Sequence, residues 1–435
     1  MGRIQVGVRC RPPFEHELDW TERSAPRFES ALELESRFVH IVPHHSRHFS
    51  QRSFGFDYVW PDSTTQAQVY DDAIAPLVSH VLHGQSATVL AYGQTGTGKS
   101  YTMGFLEATT ATELGIIPRV FEHLFHELEN APRRVQMSFA QIYMENINDL
   151  LVAPPSGLVD LPVRQRTEDG VFYVDGLESF DVASLDDARC LVQMAMTNRT
   201  LAATSRNPTS SRSHTILTIS IASAKLVLVD LAGSERTLNG FTAGMDIART
   251  RLNEAKFINS SLSALGNVIS SLAASSSAKA SYRDSKLTKL LKGCFGTHGR
   301  TLVLATIDGA GCNLAETLST LKFASRCRQV PLVPKVKSKE QAALAVKPVR
   351  TIATQTVDSG DDVDQLREAF QKKEIELHML YQEQLYKLRR ALEQMSLKQA
   401  SFCAVGQWND RPDHDDDELS VSTEDDDDSF NQVQF

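Results

Sequence analysis

The sequence predicts an α/β fold, a mixed and mostly parallel central sheet flanked by helices, over residues 1–330. Three observations carry that expectation. Strand-like and helix-like segments alternate along this stretch. A short apolar run, Ala87 to Tyr92, feeds directly into a glycine-rich loop, the order strand, loop, helix. Two further apolar segments, His214 to Ser223 and Lys225 to Gly233, are separated by a very short turn and read as a hairpin of the same sheet.

Taken in order, Ile4 to Cys10 alternates apolar and polar residues, the period of a strand. The loop after Tyr92 is Gly93, Gln94, Thr95, Gly96, Thr97, Gly98, Lys99 and Ser100, which fits G-x-x-x-x-G-K-[ST]. In that pattern successive backbone N–H groups cradle phosphates, the lysine reaches the terminal phosphates and the hydroxyl reaches Mg²⁺. The hairpin brings NPTSSRSH (Asn207 to His214) and DLAGSE (Asp230 to Glu235) to one end of the sheet, where ligands of open α/β sheets bind. From Asp246 to Ala274 the spacing predicts one long helix. Ala255, Ile258, Leu262, Leu265, Ile269 and Leu272 recur at alternating threes and fours and give it a single apolar stripe.

Beyond Arg328 the pattern changes. Residues 331–362 hold prolines and clustered lysines without a period, the signature of a neck or linker. Residues 363–400 resume helical spacing in two registers (Leu366, Phe370, Leu377 and Leu380, then Leu385, Leu388, Leu392 and Met395). That fits a short coiled coil joining a homodimer, or a lone amphipathic helix folding onto the body or a cargo. Residues 401–435 are polar and acidic and read as a disordered tail.

Net charge is −9, yet Asp410 to Asp428 alone carries eleven acidic residues against one arginine, a local −10. The preceding body is therefore near +1 and free to present a basic face to an acidic partner. The tail either competes for that face or acts only as a solubilising segment without contact to it. No apolar run approaches the ~20 residues of a membrane span, and MGRIQVGVRC lacks a signal-peptide core, so membrane insertion is not expected. The six scattered cysteines form no C-x-x-C pair and fit reduced thiols in a cytosolic protein.

The three phosphate strings, with YRDSKLTKLL (Tyr282 to Leu291) and ETLSTLKFASR (Glu316 to Arg326), resemble the kinesin motor domain over residues 1–330. The resemblance implies a P-loop NTPase of the kinesin motor fold, using ATP and Mg²⁺ and binding tubulin in microtubules. Mapped residue by residue, it implies that Lys99 supplies positive charge and that Ser100 ligates the metal. Ser210 and Ser211 would close over the γ-phosphate and metal, with Ser211 a ligand, and Asp230 would hold the metal through water. The Gly233 N–H would bond the γ-phosphate, and Arg212 would pair with Glu235 as the site closes. Arg9, Arg11 and Pro12 match the adenine-side R-x-R-P, and Tyr101 falls at the stacking position. The track face would centre on Tyr282, Arg283, Lys286 and Lys289, with Arg236, Arg249 and Arg251 added from around the switch II loop. Spacings of three let Arg283, Lys286 and Lys289 share a helical face, which by periodicity alone is equally a solvated basic face.

Departures from the family bear on mechanical output. The first strand begins almost at Met1, leaving little or no cover strand to pair with the neck linker. Pro331 and Pro334 fall where a docking strand would need N–H donors. Lys279 is the single lysine of 275–281, TIDG (Thr306 to Gly309) replaces the usual I-S-P, and the stretch between Glu235 and Leu252 is longer than usual. The leading expectation is an ATP-driven, plus-end-directed microtubule motor of the cytoplasm and cytoskeleton, with unknown cargo and no nucleic-acid partner. The alternative is a non-motile, nucleotide-switched protein that binds microtubules or regulates their ends. A GTPase is disfavoured, since no N-K-x-D string is present.

Overall fold

The computed structural model describes residues 2–14, 30–42, 52–105, 110–129, 133–152, 160–204, 210–235, 245–274, 280–295 and 299–332. Side chains of 200–210 and 245–253 fall outside that description, as do all residues after 332. Beyond its first two residues the expected linker, and with it the expected coiled coil or amphipathic helix and the acidic tail, therefore lie outside the described residues.

The chain opens with β1 (Gly2–Arg3) and β2 (Gln5–Cys10), then a small antiparallel sheet of β3 (Leu32–Leu34), β4 (Phe38–Ile41) and β5 (Arg52–Gly55), then β6 (Tyr58–Trp60). Thr65 and Gln68 form a capping box that starts α1 (Gln66–Val69), which continues through a π turn into α2 (Ala75–Leu82). Next come β7 (Ser86–Tyr92), the phosphate loop, α3 (Lys99–Met103) and α4 (Ile116–Leu128). The antiparallel half of the sheet follows, with β8 (Val135–Tyr143) and β9 (Asn146–Asp149). A separate hairpin of β10 (Val163–Gln165) and β11 (Phe172–Val174) leads to β12 (Phe180–Val182) and α5 (Leu185–Thr204). The hairpin expected from the sequence forms as β13 (His214–Ile221) and β14 (Ala224–Asp230). The long helix forms as α6 (Met245–Ala274), followed by α7 (Lys286–Leu290), β15 (Gly299–Ile307), α8 (Leu314–Gln329) and β16 (Pro331–Leu332).

The main sheet runs β12-β8-β13-β14-β7-β15-β2-β6, with β9 on the flank of β8. Its pairs from β14 through β6 are parallel and those from β12 to β14 antiparallel. Both faces are buried, so alternate residues of one strand serve opposite cores. Leu302 and Leu304 join the cluster with Ile117, Val120 and Leu124 of α4, whereas Val303, Ala305 and Ile307 join that of Leu265 and Ile269 on α6. The stripe of α6 turns inward as its spacing predicts, with Leu262, Leu265 and Ile269 buried.

Two sequence expectations change. Little or no cover strand was expected, yet β1 pairs antiparallel with β16, Gly2 opposite Leu332 and Arg3 opposite Pro331. The Ile4 N–H continues the ladder to the Val330 carbonyl at 3.2 Å. Proline at 331 withholds an N–H but not a carbonyl, and a two-residue edge pairing tolerates that loss. The second change concerns YRDSKLTKLL. Ser285 caps α7 through a capping box with Thr288, so the helix begins at Lys286 and Arg283 precedes it instead of sharing its face.

Candidate nucleotide and track-binding site

Strand β7 delivers the chain to the loop, and backbone geometry explains its glycines. Gly93 has φ 155° and a Cβ there would sit 2.2 Å from the Thr306 carbonyl, while Gly98 at φ 96° caps α3. Thr97 Oγ1 donates to the Gln94 carbonyl at 2.8 Å and meets Thr306 Oγ1 at 2.7 Å. Gln94 is tied to Asn313 at 3.3 Å, and Asn313 to Asp308 at 2.9 Å. TIDG, the string without the usual I-S-P, thus supplies two residues that brace the loop.

Lys99 is buried, and its Nζ donates to the carbonyls of Gly93 at 2.9 Å and Gln94 at 2.8 Å. Burial pushes its pKa down from the ordinary amine range, against the pull of Asp230 and Glu235. The Ser100 hydroxyl donates to Asp230 Oδ2 at 2.7 Å, and Arg199 of α5 lies 3.7 Å from the same carboxylate. Asp230, fully buried at the end of β14, has its pKa raised by that burial. Its other oxygen, Oδ1, is buried with no hydrogen-bond partner. A hydroxyl and one uncommitted carboxylate oxygen fit a hydrated Mg²⁺, which keeps waters and takes phosphate oxygens. Among the described residues no three His, Cys, Asp or Glu side chains form a dedicated metal cage.

The other two strings converge on this loop. The Gly233 N–H donates to the Ser211 carbonyl at 2.8 Å, and Ser234 N–H to the Gly93 carbonyl at 3.1 Å. A Cβ on Gly233 would lie 2.3 Å from Thr95 Oγ1 and within 2.6 Å of both Glu235 carboxylate oxygens, so any larger residue would have to displace the Glu235–Thr95 contact. The Ser210 side chain lies outside the described residues. Arg212 and Glu235 are not paired here, contrary to expectation. Arg212 contacts Glu254 of α6, and Glu235 instead accepts from the Thr95 N–H at 2.8 Å and the Thr95 hydroxyl at 2.5 Å.

On the adenine side the R-x-R-P residues divide. Arg9 is buried, donating to Gln66 at 2.6 Å and Thr102 at 2.9 Å, with its guanidinium 5.5 Å from the Tyr101 ring. It therefore supports the platform and does not itself face outward. Tyr101 is 40% exposed and open to a stacking base. Arg11 reaches Asp308 at 3.4 Å and stacks 4.0 Å over Phe14, beside an exposed Pro12.

Of the track residues, Arg283 is exposed and Lys289 half-buried, whereas Tyr282 is packed enough for burial to push its pKa up to about 12. Lys286 is committed, its Nζ 2.6 Å from Asp160. The side chains of Arg236, Arg249 and Arg251 lie outside the described residues.

Sequence reasoning missed Arg199, His214, Glu254 and Thr306 as site residues. His214 was inside a recognised string. Its Nδ1 accepts from the Ala232 N–H at 3.0 Å, so Nε2 carries the proton and donates to Ser261 Oγ of α6 at 2.8 Å. Glu254 had a weaker signal, a carboxylate two turns before Ser261 on the inward face of a helix.

The chain matches the family described as the kinesin motor domain over residues 9–330. It is 37% identical over 391 residues to kinesin-like protein klp-20 of Caenorhabditis elegans, covering 85% of this chain and 58% of that protein. It is 39% identical over 359 residues to kinesin-related protein 3 of Dictyostelium discoideum, covering 79% of this chain and 29% of that one. With chromosome-associated kinesin KIF4 of Xenopus laevis it shares 40% identity over 314 residues, 68% of this chain and 25% of that protein. A solved structure of a fast kinesin, described with implications for ATPase mechanism and interactions with microtubules, superposes with TM-score 0.68 at 34% identity. That match covers 82% of this chain and 99% of the solved one. No described helix is long and apolar enough to cross a membrane.

Proposed function

The chain belongs to the kinesin motor-domain family, and from that premise we propose that it hydrolyses ATP with Mg²⁺ and uses the cycle to move along microtubules, toward the plus end. The observation that carries this reading is the meeting of three strings around one loop: Ser100 on Asp230, Gly233 on Ser211, and Glu235 on Thr95. Phosphoryl transfer needs positioning and charge stabilisation more than covalent chemistry from the protein. Lys99 would leave the Gly93 and Gln94 carbonyls for the terminal phosphates. Mg²⁺, when bound, would neutralise developing phosphate charge, and Ser100, Ser211 and Asp230 are the residues to hold it. The Gly233 N–H would exchange the Ser211 carbonyl for a γ-phosphate oxygen, with Ser210 and Ser211 closing above it. Arg212 and Glu235 would then pair to complete the closed site.

Arg283 and Lys289 would meet the acidic face of tubulin with Tyr282 packed behind them, and Lys286 would join on leaving Asp160. Cytoskeletal localisation, a homodimer through 363–400 and an unidentified cargo accompany the reading. The β1–β16 pairing favours motility, since it supplies the strand contact that the short N-terminus was expected to lack. A second reading, a non-motile microtubule or microtubule-end regulator, draws on the two-residue length of that contact. Turnover with and without microtubules, then gliding on polarity-marked microtubules, separates them. Stimulated turnover with plus-end movement supports the motor, and tight binding without movement supports the regulator.

A further inference from the structure

We propose that Glu254 is a positioning residue that holds Arg212 away from Glu235 and so sets how readily the nucleotide site closes. The proposal rests on the reading above, in which the Arg212–Glu235 pair completes the closed site. Both members of that pair are engaged elsewhere. Glu235 has one carboxylate oxygen on the Thr95 N–H and the other on the Thr95 hydroxyl. Arg212 lies on Glu254, which stands 42 residues away in sequence and whose side chain is 1% exposed.

A carboxylate so buried is costly unless it is paired and hydrogen-bonded. Glu254 meets that requirement with Arg212 on Oε2 and the Tyr143 hydroxyl on Oε1 at 2.6 Å. Moving Arg212 to Glu235 leaves Glu254 with Tyr143 but without that cation, so closure carries a penalty located in α6. The same helix grips the same segment a second time. Ser261, two turns along from Glu254, takes the Nε2–H of His214, two residues after Arg212. Release of Arg212 and displacement of α6 are thereby coupled. A phosphate entering the loop would repel the Glu235 carboxylate from Thr95 and make it available. Two carboxylates then compete for one guanidinium, and the occupant of Arg212 reports the state of the site.

The test is the affinity of the full chain for ADP and for a non-hydrolysable ATP analogue, measured by displacement of a fluorescent nucleotide, with thermal unfolding alongside. Glu254→Gln keeps the volume and an oxygen for Tyr143 but removes the charge. It should raise the analogue-to-ADP affinity ratio by about fivefold or more. The rise should vanish when Glu235→Gln is added, because Arg212 then has no charged partner to move to. Tyr143→Phe leaves Glu254 more dependent on Arg212 and should lower the ratio. A lowered melting temperature with an unchanged ratio, a rise that survives Glu235→Gln, or a rise in Tyr143→Phe would each overturn the proposal. A chain that binds both nucleotides without hydrolysing ATP refutes the ATPase reading while the ratio still decides this one. Absence of any nucleotide affinity overturns both.

Discussion

Thr306 and Thr97 meet hydroxyl to hydroxyl at 2.7 Å across 209 residues of sequence, joining the end of β15 to the middle of the phosphate loop. Thr97 also donates to the Gln94 carbonyl, and the Thr306 carbonyl sets the close approach that only Gly93 permits. Thr306→Val keeps the shape and removes one hydroxyl. Since the Thr97 hydroxyl still donates to the Gln94 carbonyl and loses only the proton it accepted from Thr306, the expected cost is about 1 kcal/mol of folding stability, with a several-fold loss of nucleotide affinity. Denaturant titration and nucleotide binding on the same preparation check both, and unchanged affinity would reject the bracing role.

Lys99 is held in place by two loop carbonyls and has no exposed role to lose. Lys99→Ala should reduce ATP turnover by at least about a hundredfold, the scale of removing a preorganised charge donor. Near-normal steady-state turnover in this variant would place the reaction elsewhere.

Burial and the nearby Lys99 cation drive the His214 pKa down to about 3, so its ring stays neutral in the fold. Unfolded, the same ring takes up a proton near pH 6.5. A depressed folded pKa stabilises fully above the unfolded value, and that contribution is lost as pH falls toward 3. Stability should therefore decline by about 1.4 kcal/mol per pH unit through this one group. The slope between pH 6.5 and 5 should flatten by that amount in His214→Asn, as read by denaturant midpoints. Parallel slopes in the two proteins would contradict the assignment.

The pairing of Lys286 with Asp160 ranks the basic residues that the sequence could not separate. Arg283→Glu and Lys289→Glu should raise the microtubule concentration for half-stimulation and leave basal turnover unchanged. Asp160→Asn frees Lys286 and should lower that concentration, by up to a few-fold because the pair is partly solvated. Weaker binding in Asp160→Asn would show that Asp160 matters through its other bond, to the Ile147 N–H.

What the sequence determined by itself was local. The loop from Gly93 to Ser100, the hairpin of β13 and β14, and the stripe of α6 follow from spacing within one segment, where φ preference and a period of two or 3.6 act over a few residues. Partnerships between distant side chains were decided by the tertiary structure alone. Arg212 on Glu254, Glu235 on Thr95, Lys286 on Asp160 and β1 on β16 join positions 42, 140, 126 and roughly the whole described chain apart. A charged side chain in a sequence has many complementary candidates, and buried placement selects among them by desolvation, since an unpaired buried charge is too costly to keep. That selection gave Arg212 to the long helix in place of the residue its motif suggested. It also turned Arg9 inward beneath Tyr101, because only packing tells an arginine that binds from one that supports.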